Sequence, residues 1–235
     1  MDSIKKKAKV AGRLYLLISI PAGFCLTSGS AAFTVRDDAA ATAQKIRASE
    51  LLFRARLTME IAGAIGFLFV ALALYNVFEG FSKPLASLMV TLWAVSIPIS
   101  CLNVLNKVAV LHILNGTNAP AGFDPQHINA LLMLFLDMHR YGIILAQIFW
   151  GLWLFPLGIL IFKSRYLPRV IGILLVAACC AYVASSLTYV LMPAYGDRVS
   201  SVTMFFGGLG ELPLMLWLIS KGARVPQLPT LETGN

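Results

Sequence analysis

Charge is what this sequence has least of: Asp, Glu, Lys and Arg make up 13% of its 235 residues, against about 25% in soluble domains. Hydrophobic residues make up 58%. A soluble core of this size could not hide so much apolar surface, which excludes a water-soluble globular domain. Histidine is scarcer still, with only His112, His127 and His139. None belongs to an HExxH motif or an HxxxH pair on one helical face, and a catalytic zinc usually takes three protein ligands. The sequence therefore predicts no metal. The four cysteines (Cys25, Cys101, Cys179, Cys180) all lie within apolar runs and form neither a CxxC knuckle nor a disulfide framework. No GxSxG motif or phosphate loop is present, so no cofactor is expected.

What the chain does have is long apolar runs. A bilayer core needs about 20 apolar residues, and the runs that qualify are 14–35, 57–78, 85–114, 141–162, 170–192 and 199–220. The expected fold class is an all-α membrane protein, a bundle of six transmembrane helices within residues 1–222. A tail, 223–235, carries Pro226 and Pro229 and reads as disordered and cytoplasmic. Lys5–Lys9 before Leu14–Leu26 resembles a signal peptide, with Gly29-Ser30-Ala31-Ala32 as a possible cleavage site. The charge-free run continues to Val35, which favours a retained signal-anchor helix.

The net charge of +8 sits at the ends of these runs. That is the pattern of membrane-orienting charges and not of a nucleic-acid surface. With the N-terminus inside, inner segments hold eleven basic residues and outer ones six (Arg36, Lys45, Arg47, Arg54, Arg56, Arg198), so both termini are expected in the cytoplasm. Asp37 and Asp38 precede an alanine-rich stretch, which predicts a short extracytoplasmic surface helix over 38–50. The stretch 127–139, apolar on one face, is expected to lie in the interface before the fourth span. Pro21, Pro98, Pro156 and Pro213 are expected to kink four of the spans.

Polar side chains inside spans are where function usually lies. Glu211 lies deepest, after Gly207, Gly208 and Gly210 and before Pro213. Its neighbours should approach closely over the glycines. Glu60 lies near the outer end of the second span. Asn103, Asn106 and Lys107 share one face of the third, because spacings of three and four stack on a helix. His139 and Tyr141 lead into the fourth, with Gln147 two turns deeper. Together these suggest an outward-facing polar cavity with Glu211 as its floor. Plainer readings stand beside this one: Asp137 with Arg140 and Glu60 with Arg56 as neutralising pairs, Asn103 and Asn106 as interhelical glue, Lys107 snorkelling to the interface.

Several stretches resemble one family of bacterial integral membrane proteins, DUF4386. These are Ala48–Arg54, Phe135-Leu136-Asp137-Met138-His139-Arg140-Tyr141-Gly142, Gln147–Gly158, Tyr166–Gly172 and the Gly210-Glu211 pair. The likeness spans roughly 11–222 and is most specific in the fourth helix. It implies a six-helix protein of the bacterial inner membrane and no reaction. The chain departs from the family pattern at Trp93, Ser96 and Ala184, where polar residues are expected.

Three functions fit. The leading one is binding or passage of a small molecule or lipid in the polar cavity, with the bilayer as partner and no nucleic acid. The rival is an intramembrane enzyme with Glu211 and His139 as acid and base. The third is a structural or partner-binding membrane subunit. Convergence of Glu211, His139, Gln147 and Asn106 on open volume would favour the first two. Mutual pairing without a cavity would favour the third.

Overall fold

The computed structural model describes residues 2–27, 33–35, 38–116 and 124–224. The expected cleavage site at 29–32, Arg36, Asp37, most of the 115–126 loop and the tail from 225 onward lie outside the described residues. The described chain is helical throughout, with no strand: α1 Asp2–Thr27, α2 Ala39–Ala48, α3 Glu50–Leu114, α4 Pro125–Leu152, α5 Leu154–Ser164, α6 Arg169–Leu191 and α7 Pro193–Ser220. Among the described residues, three helical stretches are long and apolar enough to cross a membrane: Glu50–Leu114, Gln126–Ser164 and Arg169–Leu191. A shorter apolar helix covers Phe205–Ser220.

The expected runs 57–78 and 85–114 belong to one helical element bent at Ser82, whose backbone leaves the helical region (φ −154°, ψ 95°). Pro84 explains the bend, because it has no N–H for the carbonyl of Gly80 and its ring crowds that carbonyl. Each arm of α3 is about 48 Å long at 1.5 Å per residue, well beyond the ~30 Å of a hydrocarbon core. Pro156 likewise has no N–H for the carbonyl of Leu152, where α4 ends and α5 begins after Trp153, but Trp153 keeps helical angles (φ −66°, ψ −24°) and the stretch Gln126–Ser164 runs on as one helix. Pro21 and Pro213 sit inside α1 and α7, and Pro98 inside the second arm of α3, with the helix continuing past each.

The expected acidic start at Asp38 is present as local geometry, and the structure adds a second one at Asp124. Asp38 accepts a hydrogen bond from the Ala41 amide at 2.8 Å and opens α2. Asp124 does the same for His127 at 2.9 Å, with Pro125 in the first turn of α4. The stretch 127–139 is not a separate interfacial segment. It is the first half of α4, and its Leu132 is fully buried against α2 and α3. Apolar residues on one face of 127–139 meet a protein surface there, because the long arms of α3 rise to the same height.

Helix α1 packs between α3 and α7, α7 between α1 and α6, and α6 also touches α4 and α5. Small residues set the closest approaches. A Cβ added to Gly158 or Gly172 would lie 2.7 or 2.6 Å from the other's carbonyl oxygen, so α5 and α6 are in backbone contact. Gly222 (φ +67°) closes α7, its N–H bonding to the Trp217 carbonyl at 3.1 Å, and it leaves no room for a side chain beside α1.

Two apolar clusters result. The larger joins α1, the inner parts of α3, α5, α6 and α7 around Leu74, Phe78, Trp153, Leu157 and Leu218. The smaller joins α2, both ends of α3 and the start of α4 around Ile46, Phe53, Val110 and Leu132.

Candidate functional site

The eight candidate residues do not share one site. Five of them, Glu60, Asn103, Asn106, Lys107 and His139, come together where the smaller cluster meets the rest of the bundle. Glu211 stands apart. Tyr141 is exposed, edge-on to Tyr189 at 6.2 Å, and Gln147 is half-buried and hydrogen-bonded to neither group.

In the first group the two arms of α3 are tied by an ion pair, Lys107 Nζ to Glu60 Oε1. Both side chains are largely buried, at 11% and 19% exposure, and Lys107 does not snorkel. Its apolar stem is flanked by Val104, Val110 and Leu111 on its own helix, and the nearest acid is across the hairpin. Asn103 Nδ2 donates to the carbonyl of His139 at 2.8 Å, and His139 Nδ1 lies 3.2 Å from the carbonyl of Asn103. A carbonyl can only accept, so Nδ1 is the donor and carries a proton. The other ring nitrogen, Nε2, faces Glu60 Oε2 at 3.4 Å. Glu60 Oε2 is buried and has no hydrogen bond of its own. The histidine thus ties Asn103 of the second arm of α3 through Nδ1 and turns its other ring nitrogen toward the carboxylate that is paired with Lys107. Asn106 completes the group by donating to the carbonyl and side-chain oxygen of Asn103, both at 3.1 Å. Gly142, the last residue of the fourth-helix motif, leaves the space that the Asn103 amide fills.

Glu211 is bound by phenols. Tyr15 of α1 donates to Oε2, and Tyr182 of α6 lies 3.5 Å from Oε1. The acid on α7 thus fastens α1 and α6. Its glycines act as expected: a Cβ on Gly207 would lie 2.6 Å from the Tyr182 hydroxyl, and one on Gly210 would lie 3.3 Å from the Leu174 carbonyl oxygen. Beside Tyr15 the core is aromatic. Phe67 meets Tyr15 edge-on at 5.4 Å and Trp93 at 5.0 Å, and Trp93 meets Trp153 at 5.2 Å. The Trp93 indole is satisfied by the Ala64 carbonyl at 3.1 Å. A family position expected to be polar is here filled by a ring that joins the two arms of α3.

Sequence reasoning missed Tyr15 and Tyr182. Two tyrosines well inside apolar runs were the available signal, since a buried phenol needs a partner. Arg56 is buried with its guanidinium 5.4 Å from the Phe33 ring centroid. The expected Asp137–Arg140 pair does not form. Arg140 lies instead over the rings of Tyr141 and Tyr189, at 5.7 and 5.6 Å, where the ring faces attract a cation without an acid.

Among the described residues, α4 and α7 do not pack on each other. His139 and Glu211 are therefore not brought together as an acid–base pair. No three His, Cys, Asp or Glu side chains converge among those residues either. Two grooves, of about 420 and 500 Å³, lie elsewhere. One is lined by Arg54, Leu57, Thr58, Val108, Leu111, His112 and Asn115, the other by residues of α1 and α3.

The chain belongs to the family described as "Domain of unknown function (DUF4386)", which matches residues 10–222. A protein of Archaeoglobus fulgidus called "Uncharacterized protein" is 33% identical over 84 residues. The match covers 36% of this chain and 48% of that protein, so it spans about half the relative's length. No solved structure matches.

Proposed function

We propose that this chain is a six-span integral protein of the plasma membrane that acts as a structural or partner-binding subunit, not as an enzyme. The six spans are α1, the two arms of α3, the α4–α5 rod, α6 and α7. The basic residues support both termini being cytoplasmic. Lys7 meets Glu79 at 3.5 Å, Gly222 abuts Lys5, and the Arg224 amide bonds the Tyr166 carbonyl at 2.7 Å. The N-terminal lysines, the Ser82 bend and the turn at Ser164–Arg169 thus share one end, and α2 with the outer ends of α3 caps the other.

The observation that carries the functional reading is that Glu60, His139 and Glu211 are spent on partners across the bundle, on another helix or on the far arm of α3. Glu60 is bound to Lys107, the His139 ring to the Asn103 carbonyl, and Glu211 to Tyr15 and Tyr182. Such groups act as interhelical locks, each worth about 0.6–2 kcal/mol when it is a neutral hydrogen bond.

One observation favours ligand binding at the outer polar layer instead, namely the buried Glu60 Oε2, which has no hydrogen bond and lies 3.4 Å from His139 Nε2. Native mass spectrometry of the purified protein separates the two readings. The lock reading expects no added mass that depends on His139. A stoichiometric small molecule lost on His139→Gln would overturn it in favour of a binding site. For the orientation, single cysteines at Asn115 and Lys163, both exposed, are tested with an impermeant thiol reagent on intact cells. Asn115 should label and Lys163 should not; the opposite pattern reverses the topology.

A further inference from the structure

The second groove, about 500 Å³, runs between the start of α1 and the first arm of α3 and is lined by Ser3, Lys6, Lys7, Val10, Ala73 and Asn76. Its two ends differ in chemistry. Ser3, Lys6, Lys7 and Asn76 offer two ammonium groups, a hydroxyl and an amide. Val10 and Ala73 form an apolar floor.

The apolar side continues down both helices. Leu17 is seven residues beyond Val10 on the same face of α1 and 63% exposed. Phe69 lies one turn from Ala73 on α3 and is 55% exposed. Large apolar side chains so open to the surroundings suit acyl chains.

The charge at this end is one-sided. Lys5, Lys6, Lys7, Lys9 and Arg13 fall within the first thirteen residues. Tyr166 stacks on Phe78 at 5.9 Å, bringing Lys163, Arg165 and Arg169 to the same end. Among the described side chains, Glu79 is the acid that these lysines meet. Glu79 sits opposite Lys7 at 3.5 Å with both side chains well exposed, a geometry in which an ion pair holds its partners weakly.

We propose that this groove seats the phosphate of an anionic phospholipid, its acyl chains lying along Val10, Leu17, Ala73 and Phe69. A free phosphate would use the lysines but not the apolar floor. Basic pockets between helices at the cytoplasmic face suit anionic headgroups, and that leaflet carries the anionic lipids. The inference requires the chain to be in a bilayer and is independent of whether the outer polar layer is a lock or a ligand site.

The test uses the full chain in detergent, titrated with phosphatidylglycerol, phosphatidylcholine or inorganic phosphate and read by native mass spectrometry. Phosphatidylglycerol should stay bound at activation energies that strip phosphatidylcholine, and inorganic phosphate should not compete. Lys6→Gln/Lys7→Gln should lower phosphatidylglycerol occupancy by about tenfold to thirtyfold, the effect of two basic residues. Lys163→Gln/Arg165→Gln, at the same end but off the groove, should leave it unchanged. Val10→Trp, at a position 57% exposed, fills the floor without touching the lysines and should weaken the lipid as well. Equal loss in the two charge variants would overturn the proposal in favour of diffuse surface attraction. Competition by inorganic phosphate, with Val10→Trp silent, would overturn it in favour of a free-anion site.

Discussion

Two glutamates in this bundle are removed from water and are stabilised in different ways. Glu60 faces a lysine across the α3 hairpin and a histidine from α4; Glu211 faces two phenols from α1 and α6. The first is an acid paired with a cation where the smaller apolar cluster meets the rest of the bundle. The second is a carboxyl group with donors but no cation beside it, in the larger cluster. Removing one partner has different consequences in the two places. In an ion pair the survivor is an uncompensated charge, whereas beside phenols the survivors are neutral hydroxyls lacking an acceptor. The comparison teaches that burial of an acid does not fix its role; the groups it faces decide what its loss costs.

The largest expected effect is at the charged layer. Lys107→Met leaves Glu60 with no ammonium across the hairpin and should cost about 3–5 kcal/mol. The double variant Glu60→Gln/Lys107→Met should regain most of that. Thermal unfolding in detergent measures both, and a double variant no better than the single would mean that the pair is not coupled. Next comes Glu211→Leu, which strands two phenols at about 1–3 kcal/mol. Glu211→Gln keeps an acceptor and should cost about 1 kcal/mol or less. Were Gln as damaging as Leu, the carboxyl charge itself would matter, and the contrast between the two sites would collapse. Tyr182→Phe should be milder than Glu211→Leu, about 0.5–1.5 kcal/mol. It removes only the longer of the two hydrogen bonds, and Gly207 still accommodates the ring.

The helical class, the places of most helices and the close approach over Gly207 and Gly210 were legible in the sequence, because apolar run length and glycine position act locally. The grouping of Asn103, Asn106 and Lys107 was legible for the same reason, through helical spacing. The extent of α3 and α4 was not. Whether residues 50–56 and 127–139 are helix or interface depends on tertiary contact with α2 and the far arm of α3, which no window of sequence contains. Pairings across the bundle were equally hidden. Glu60 could meet Arg56 on its own helix or Lys107 some forty-seven residues away, and only the bend at Ser82 brings the latter into reach. The polar chamber divided in two because α4 and α7 do not touch.

The smallest effect is expected at an acid outside both regions, Asp124, an exposed cap on the loop before α4. Its carboxylate accepts from the backbone N–H of His127 and faces His127 Nδ1 at 2.7 Å, and the backbone bond is the main reason its pKa is lowered from the ordinary aspartate value. A group whose folded pKa lies below its unfolded pKa contributes stability above the unfolded value, about 3.9 for aspartate. That contribution is lost as pH falls through the folded value. The first turn of α4 should therefore fray as pH drops below about 4. The outer half of α4 around Leu132 should stay protected, because burial and not charge holds it. Amide-exchange protection factors at His127 and Ile128, followed from pH 7 down to pH 3, report the change. Asp124→Asn, which still caps but cannot ionise, should flatten the pH dependence without altering Lys107→Met unfolding. Protection that rises on acidification, or a pH dependence that survives in the Asn variant, would show that the cap does not depend on the carboxylate charge.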